Sequence, residues 1–255
     1  MNASALRNLK ACATMAAAML LPFPMGLQWT AVAAFAGSSC PIPLERGTQW
    51  TYEGRVEWTE SGSGKVKSAQ VRWVSEVVDL VGSSGVRAAV VRGFPDELAW
   101  YEPGQSPGFC ILLGASNRVY RLRADGQNQA RALAQRLLRN PHTVPEGAEE
   151  IFDLPLAAGR KWGQDPARED TWYGWCVEQV QSKALSAKGI GTKRPLKIYR
   201  LAYRTCPDHQ LLDVAPGLGV VRFVYGHHRT VASADVHLVS FSAPRSPSAQ
   251  RQPSP

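Results

Sequence analysis

Residues 43–50 read Pro-Leu-Glu-Arg-Gly-Thr-Gln-Trp, and residues 155–162 read Pro-Leu-Ala-Ala-Gly-Arg-Lys-Trp. Both follow the pattern Pro-Leu-x-x-Gly-x-x-Trp and stand before alternating, aromatic-rich sequence. Proline fixes φ and lacks a backbone donor, so it precedes strands, and glycine permits a left-handed turn. We therefore expect two equivalent corners, with Trp50 and Trp162 mostly buried where the chain enters a sheet. The alternative is that these two indoles stack on a ligand.

Alternation of apolar and polar residues predicts strands after each corner. The predicted strands are 48–58, 66–81, 86–92, 98–101, 109–113, 118–123, 170–181, 196–205, 220–229 and 234–241. One stretch has a helical period instead, with the apolar face Ala130, Leu133, Ala134, Leu137 and Leu138. Asp125 is its expected N-cap, and Pro141 ends it. The connection 141–150 is polar and predicted to have no strand.

These patterns predict a mainly β fold, a curved antiparallel meander in the form of a barrel or half-barrel with one α-helix. A single β-rich domain is expected over residues 37–242, built of two halves at about 41–140 and 151–242. Residues 243–255 consist mostly of proline, serine, glutamine and arginine, which predicts a disordered tail.

The N-terminus has the pattern of a secretory signal peptide. Arg7 and Lys10 precede an uncharged apolar run at 11–21, and a small-residue cleavage motif ends at Ala36. We predict a signal peptide over residues 1–36 and a periplasmic or extracellular location. Two alternatives stay open, an uncleaved N-terminal anchor and lipidation of Cys40, although Gly37 stands where a lipobox has leucine. Membrane contact is expected only in those two cases.

Cysteine use agrees with an oxidising compartment. Four cysteines follow the predicted signal peptide: Cys40, Cys110, Cys176 and Cys206. If strands 170–181 and 196–205 form a hairpin centred near Gly191, Cys176 lies opposite Cys206. We therefore predict a disulfide between Cys176 and Cys206, with the other two cysteines either paired or free.

Catalytic signatures are absent from the sequence: it has no Gly-x-Ser-x-Gly, no His-Glu-x-x-His, no phosphate-binding loop and no dinucleotide-binding glycine pattern. We expect no cofactor. A candidate metal site pairs His228 with His237 across the last two strands, completed by Asp235 or Asp213. The alternative is a pair of partly exposed histidines on a sheet.

Three aromatic residues, Trp172, Tyr173 and Trp175, form a candidate ligand-binding platform. On one strand, Tyr173 and Trp175 would share a face and Trp172 would take the other. They could stack on a sugar or line an apolar pocket, or they could pack in the core and at its rim. The formal net charge of +8 comes from scattered basic residues, so nucleic acid is not an expected partner, whereas a lipid or another envelope component is.

Four motifs occur in a characteristic order. They are Pro-Leu-x-x-Gly-x-x-Trp-x-Tyr at 43–52, Leu-Pro-Leu-x-x-Gly-x-x-Trp at 154–162, Ala-Pro-Gly-Leu-Gly-Val-Val-Arg at 215–222 and Leu-Val-Ser-Phe at 238–241. In this order they resemble a group of bacterial exported proteins and lipoproteins of unknown function. The resemblance implies an envelope location and a β-rich fold, and it supplies no catalytic residues.

Two functions are consistent with this sequence. The first is a non-enzymatic exported envelope protein, either structural or binding an apolar ligand inside a half-barrel. The second is a hydrolase or metal-dependent enzyme with a His/Asp site. A continuous apolar cavity would favour the first, and clustered histidine and aspartate in a cleft would favour the second.

Overall fold

The structure, a computed structural model, describes residues 40–83, 86–115, 117–139, 146–163, 172–190, 194–227 and 232–244. The predicted signal peptide and most of the predicted tail lie outside these ranges. The strands are β1 Gln49–Thr59, β2 Val66–Ser83, β3 Val86–Arg92, β4 Phe109–Ala115, β5 Arg118–Ala124, β6 Glu149–Asp153, β7 Lys161–Trp162, β8 Trp175–Lys183, β9 Leu196–Arg204, β10 Asp208–Ala215, β11 Gly219–His227 and β12 Ser233–Ser242. A 3₁₀ helix covers Pro95–Trp100, and helix α1 covers Gln127–Arg139.

The strands form one antiparallel sheet of 12 strands, in the order β6-β5-β4-β3-β2-β1-β12-β11-β10-β9-β8-β7. The sheet curls into a nearly closed barrel, which confirms the predicted mainly β fold with one α-helix. Pairing of β1 with β12 joins the N-terminal and C-terminal strands of the sheet. Curling protects most strand edges, because only β6 and β7 lie at the ends of the strand order.

The two Pro-Leu-x-x-Gly-x-x-Trp corners have the same hydrogen-bonding pattern. The bonds are Gly47 N to Val77 O and Gly159 N to Val177 O (both 2.8 Å), with return bonds from Val77 N to Thr48 O and Val177 N to Arg160 O (both 2.9 Å). Each glycine has a positive φ, 88° at Gly47 and 78° at Gly159, as the turn requires. Trp50 and Trp162 are 3% and 6% exposed, so the prediction of equivalent corners with buried indoles is confirmed.

The equivalence continues beyond the corners. The β2–β3 pairing shifts register after Val77, and the β8–β9 pairing shifts after Val177. A β-bulge adds one unpaired residue and increases local twist, so the two bulges bend the two halves of the sheet in the same way. The repeated sequence therefore encodes a repeated unit of structure.

Side chains rather than a strand ladder connect β6 to β7. The Trp162 indole Nε1 donates to the Glu150 carbonyl over 3.0 Å, and Arg160 Nη2 lies 2.8 Å from an Asp153 carboxylate oxygen. Trp162 also stacks on Trp175, with ring centroids 6.5 Å apart. The second corner thus closes the barrel where backbone pairing stops.

Helix α1 gives the N-terminal half a second hydrophobic core. Ala130, Ala134 and Leu137 of the helix pack with apolar residues from one face of β3, β4 and β5. Alternate residues of those strands face the main core inside the barrel. The predicted helix is confirmed, but its N-cap is Gly126 rather than Asp125. The Gly126 carbonyl accepts the first helical hydrogen bond, from Ala130 N. Neither described helix is long and apolar enough to cross a membrane.

Several predicted strand boundaries were wrong. Residues 98–101 are not a strand. Residues 98–100 form the second half of the 3₁₀ helix and Tyr101 is its C-cap, because Pro95 occupies the first turn and Asp96 and Glu97 favour a helix N-terminus. Strand β10 was missed because its first half is polar, and β6 was missed because acidic residues flank its two apolar ones. Strand β7 has only 2 residues, too few for a periodic signal.

The predicted Cys176–Cys206 disulfide is also wrong. Cys176 pairs with Ala202, and Cys206 lies exposed in the turn between β9 and β10. Beyond the bulge Val180 pairs with Tyr199, so the hairpin is centred between residues 189 and 190 rather than on Gly191, and the register shift after Val177 moves the partner of Cys176 by one further residue. All four cysteines in the described residues are free thiols.

We expect the four thiols to differ widely in reactivity. Cys206 is exposed, whereas Cys110 is 3% exposed and burial raises the pKa of its thiol. Since the thiolate is the nucleophile, Ellman's reagent should modify Cys206 in the folded protein and Cys110 only after unfolding. Peptide mapping without reductant should recover the Cys176 peptide unlinked. Its recovery joined to Cys206 would contradict the observed register.

Candidate functional site

The predicted aromatic platform is divided between the core and the surface. Trp175 is 3% exposed, stacked on Trp162 and tilted against Tyr203 at 5.3 Å, so it serves the core. Trp172 and Tyr173 are exposed and precede β8, with Tyr173 at a φ of 59°. The chain is therefore not a regular strand there, and the alternation that would place Tyr173 beside Trp175 does not apply.

The predicted histidine register was wrong. His237 on β12 lies opposite Arg222 on β11 and Glu53 on β1, while His228 lies outside the described residues. Both carboxylates proposed to complete the site bind arginines: Asp235 binds Arg222 at 2.7 and 2.9 Å, and Asp213 binds Arg200 at 2.7 and 2.8 Å. The described residues contain no group of three potential metal ligands.

These ion pairs border a cleft of about 810 Å³ on the sheet. Arg55, Asp213, Arg222, Asp235 and His237 all line it. Because Asp235 pairs with Arg222 and Asp213 pairs with Arg200, the aspartates of this cleft offer little uncompensated negative charge to a metal ion.

A larger cleft, of about 1130 Å³, opens where β1 turns into β2. We call it the aromatic cleft. Its lining residues are Glu57, Trp58, Thr59, Glu60, Ser61, Gly62, Gly64, Lys67, Ala99, Trp100, Tyr101, Glu102, Pro103 and Ala232. Trp58 and Tyr101 meet at 5.3 Å with their rings inclined by 60°, so they form two walls at an angle. Trp100 at the end of the 3₁₀ helix is the third aromatic wall.

Trp100 is 58% exposed, more than any other large hydrophobic side chain in the described residues. Exposing an indole forgoes about 1.5–3 kcal/mol of burial, on the scale of a large apolar side chain. Its ring contacts Tyr225 at 5.7 Å and His227 at 6.4 Å. The side chain is thus supported from one direction and open to the cleft from another.

Behind Trp100, one carboxylate joins two further side chains. Asp208 Oδ1 accepts a bond from the Tyr225 hydroxyl at 2.7 Å and also bonds His227 Nδ1. Burial, followed by this bond, raises the pKa of Tyr225, so the hydroxyl stays the donor. Because an ionised carboxylate can only accept, the proton in the bond between Asp208 and His227 lies on His227 Nδ1.

A buried ion cluster holds the 3₁₀ helix that presents Trp100. Asp96 forms ion pairs with Arg121 and Arg123, and Arg121 also binds Glu149. Burial lowers the pKa of Arg121, but the two carboxylates outweigh it and raise the pKa overall. Next to Asp96, the Glu97 carboxylate accepts a bond from Gly108 N at 2.8 Å.

The sequence did not identify the cleft. Pro95 and the acidic pair after it could have predicted a short helix there. The exposure of Trp100, however, is set by how distant segments pack around it, and nothing local in the sequence distinguishes it from the buried tryptophans.

Fold and geometry together define a nearly closed antiparallel β-sheet with an aromatic-lined cleft at one end. No protein-family model matches the chain, and no curated protein matches it. Among solved structures it is similar to a "putative exported protein with YmcC-like fold" from Bacteroides fragilis, at 11% identity. The match covers 79% of this chain and 98% of that chain with a TM-score of 0.42, a distant likeness that carries no functional argument.

Proposed function

We propose that the protein is an exported, non-enzymatic β module that binds a ligand in the aromatic cleft. The observation that carries the proposal is Trp100, an indole 58% exposed at the wall of a cleft of about 1130 Å³. Ligand sites are concave, combine aromatic walls with a few polar groups, and occur preferentially at positions such as the mouth of a barrel. Trp58, Tyr101 and the glutamates beside them supply both kinds of group.

The predicted alternative of an apolar ligand inside the barrel has less support. Tyr52, Leu98 and Phe223 fill the interior, and each is 2% exposed or less. The 3₁₀ helix adds Leu98 and Ala99 to the same core. An interior ligand would have to displace packed side chains, which costs more than occupying an open cleft.

Export is the second part of the proposal, and it rests on the signal-peptide pattern of residues 1–36. We expect the mature protein to begin at Gly37. Mass spectrometry of the N-terminal peptide from protein purified from its native envelope would check this. A lipidated Cys40 or an intact Met1 would contradict cleavage after Ala36.

Trp100→Ala should abolish most ligand binding. The test uses calorimetric titration with three probes, spermidine, chitotetraose and oleate, against the parent and the variant. Losing the contacts of one indole should weaken binding of whichever probe the parent binds by about tenfold or more. Trp172→Ala is the matched control, since it removes another exposed tryptophan outside the cleft, and its affinity should match the parent. Binding of oleate that is insensitive to Trp100 would instead support an interior site.

A hydrolytic function is the second candidate, and one observation favours it. Asp208 orients the His227 ring through Nδ1, so in a neutral imidazole Nε2 would be the acceptor that a general base requires. The ring centroids of His227 and Trp100 are 6.4 Å apart. If the protein hydrolyses p-nitrophenyl acetate, His227→Gln should abolish the activity in protein that thermal unfolding shows to be folded.

A further inference from the structure

We propose that the ligand of the aromatic cleft is an organic cation bearing a primary or quaternary ammonium group. This inference rests on the proposed function, because it names the chemistry of the ligand for that same site. Three carboxylates, those of Glu57, Glu60 and Glu102, line the cleft against one cation, Lys67. The chain as a whole has a formal net charge of +8, so the cleft is acidic on a basic protein.

Glu102 is the carboxylate best placed to receive the ligand. Glu57 is 2.8 Å from Arg55, and Glu60 is 3.8 Å from Lys67. Within the described residues, no ion pair involves Glu102. Its backbone is fixed by reciprocal bonds with Gln105, from Glu102 N to Oε1 at 3.1 Å and from Gln105 N to the Glu102 carbonyl at 3.0 Å.

The aromatic walls suit the same ligand. A cation over the face of an indole or phenol ring is attracted by its quadrupole, and indole is the strongest partner. The described cation–π contacts, Arg121 on Phe94 and Lys197 on Tyr199, lie outside the cleft. The rings of Trp58, Trp100 and Tyr101 line the same cleft as the Glu102 carboxylate, so the cleft contains both elements of an ammonium site, aromatic rings and a carboxylate.

Charge decides between an ammonium group and other ligands. An anion would meet the Glu102 carboxylate, whereas Glu57 and Glu60 already have cation partners, and repulsion by Glu102 disfavours it. A neutral sugar could use the same rings, but it would gain nothing from an unpaired carboxylate beyond hydrogen bonds. An ammonium group gains from both, and its affinity for the cleft should fall with added salt.

The test is calorimetric titration of spermidine and of choline into the purified full-length protein. We expect saturable binding of at least one, weakened about tenfold by Glu102→Gln and by Trp100→Ala. Glu146→Gln and Trp172→Ala are matched controls, because each removes the same kind of exposed side chain outside the cleft, and both should bind as the parent does. Thermal unfolding of each variant checks that the fold is intact.

The outcomes separate this inference from the proposed function. If chitotetraose binds in a Trp100-dependent way and neither spermidine nor choline binds, the inference of an ammonium ligand is wrong, but the proposal that the aromatic cleft binds a ligand stands. If Glu102→Gln leaves spermidine and choline binding unchanged, Glu102 does not receive the ammonium group, and the inference is wrong. No binding of any probe would overturn both proposals. To distinguish sources of the ammonium group, vesicles containing phosphatidylethanolamine are compared with free amine, and Glu102-dependent sedimentation with the vesicles would identify a lipid headgroup.

Discussion

Replacing Trp50 or Trp162 by alanine is expected to lower the free energy of unfolding by about 3–5 kcal/mol each. Both indoles are almost fully buried, and each also donates a hydrogen bond, Trp50 to the Leu218 carbonyl and Trp162 to the Glu150 carbonyl. Truncation removes the packed ring and leaves a buried acceptor without its donor. Urea denaturation followed by circular dichroism measures the change.

The two corners should respond alike because they are structurally equivalent, although they connect different strands. Trp50→Ala weakens the entry to β1, next to β12, whereas Trp162→Ala weakens the contact between β6 and β7. Trp172→Ala is the control for an exposed tryptophan, 39% exposed, and should change stability by less than about 0.5 kcal/mol. A Trp162→Ala variant as stable as Trp172→Ala would mean that this indole does not close the barrel.

The sequence predicted those parts of the fold whose signal is local. The two corners carry their own turn residues, and β1 and β2 alternate cleanly enough to be recognised without any partner. Helix α1 was found because Ala130, Ala134 and Leu137 repeat at helical spacing on the face that packs against the sheet. Each of these elements carries its own period in the sequence, so no long-range information was needed.

Features that depend on two distant segments were not predicted. The β8–β9 hairpin is centred before Gly191, and the bulge after Val177 moves the partner of Cys176 by one further residue, to Ala202; the centre of the hairpin depends on how the two strands pair and not on local sequence. The same reason explains the missed site. Of the predicted candidates, Trp172 lies on the surface and Trp175 in the core. Trp100 ends a 3₁₀ helix that ion pairs between Asp96 and two arginines of β5 anchor to the sheet, a contact between segments distant in sequence.

Replacing Arg121 by methionine is the other large effect that we expect, a loss of about 3–5 kcal/mol. The Arg121 side chain is 8% exposed and pairs with Asp96, which is 7% exposed. Its removal leaves a carboxylate buried with one remaining partner, Arg123 at 3.1 Å. Burying an incompletely paired charge is expensive, because water cannot replace the lost ion pair.

Arg123→Met is the matched control, since Arg123 binds the same Asp96 from the same strand but is 65% exposed. Its loss should cost about 1 kcal/mol or less, because an exposed pair is screened by solvent. Urea denaturation of both variants gives the comparison. Equal losses would show that burial does not determine the strength of this cluster.

A double variant separates a lost attraction from an unpaired charge. If the cost of Arg121→Met comes mainly from stranding Asp96, adding Asp96→Asn removes that charge and should restore part of the stability. Additive losses would instead mean that each side chain acts independently. The same variants bear on the cleft, because Asp96 anchors the 3₁₀ helix that ends at Trp100. If loosening that anchor disturbs the cleft, the Arg121→Met variant should bind spermidine more weakly than the Arg123→Met variant does. This difference should persist in conditions where both variants are fully folded.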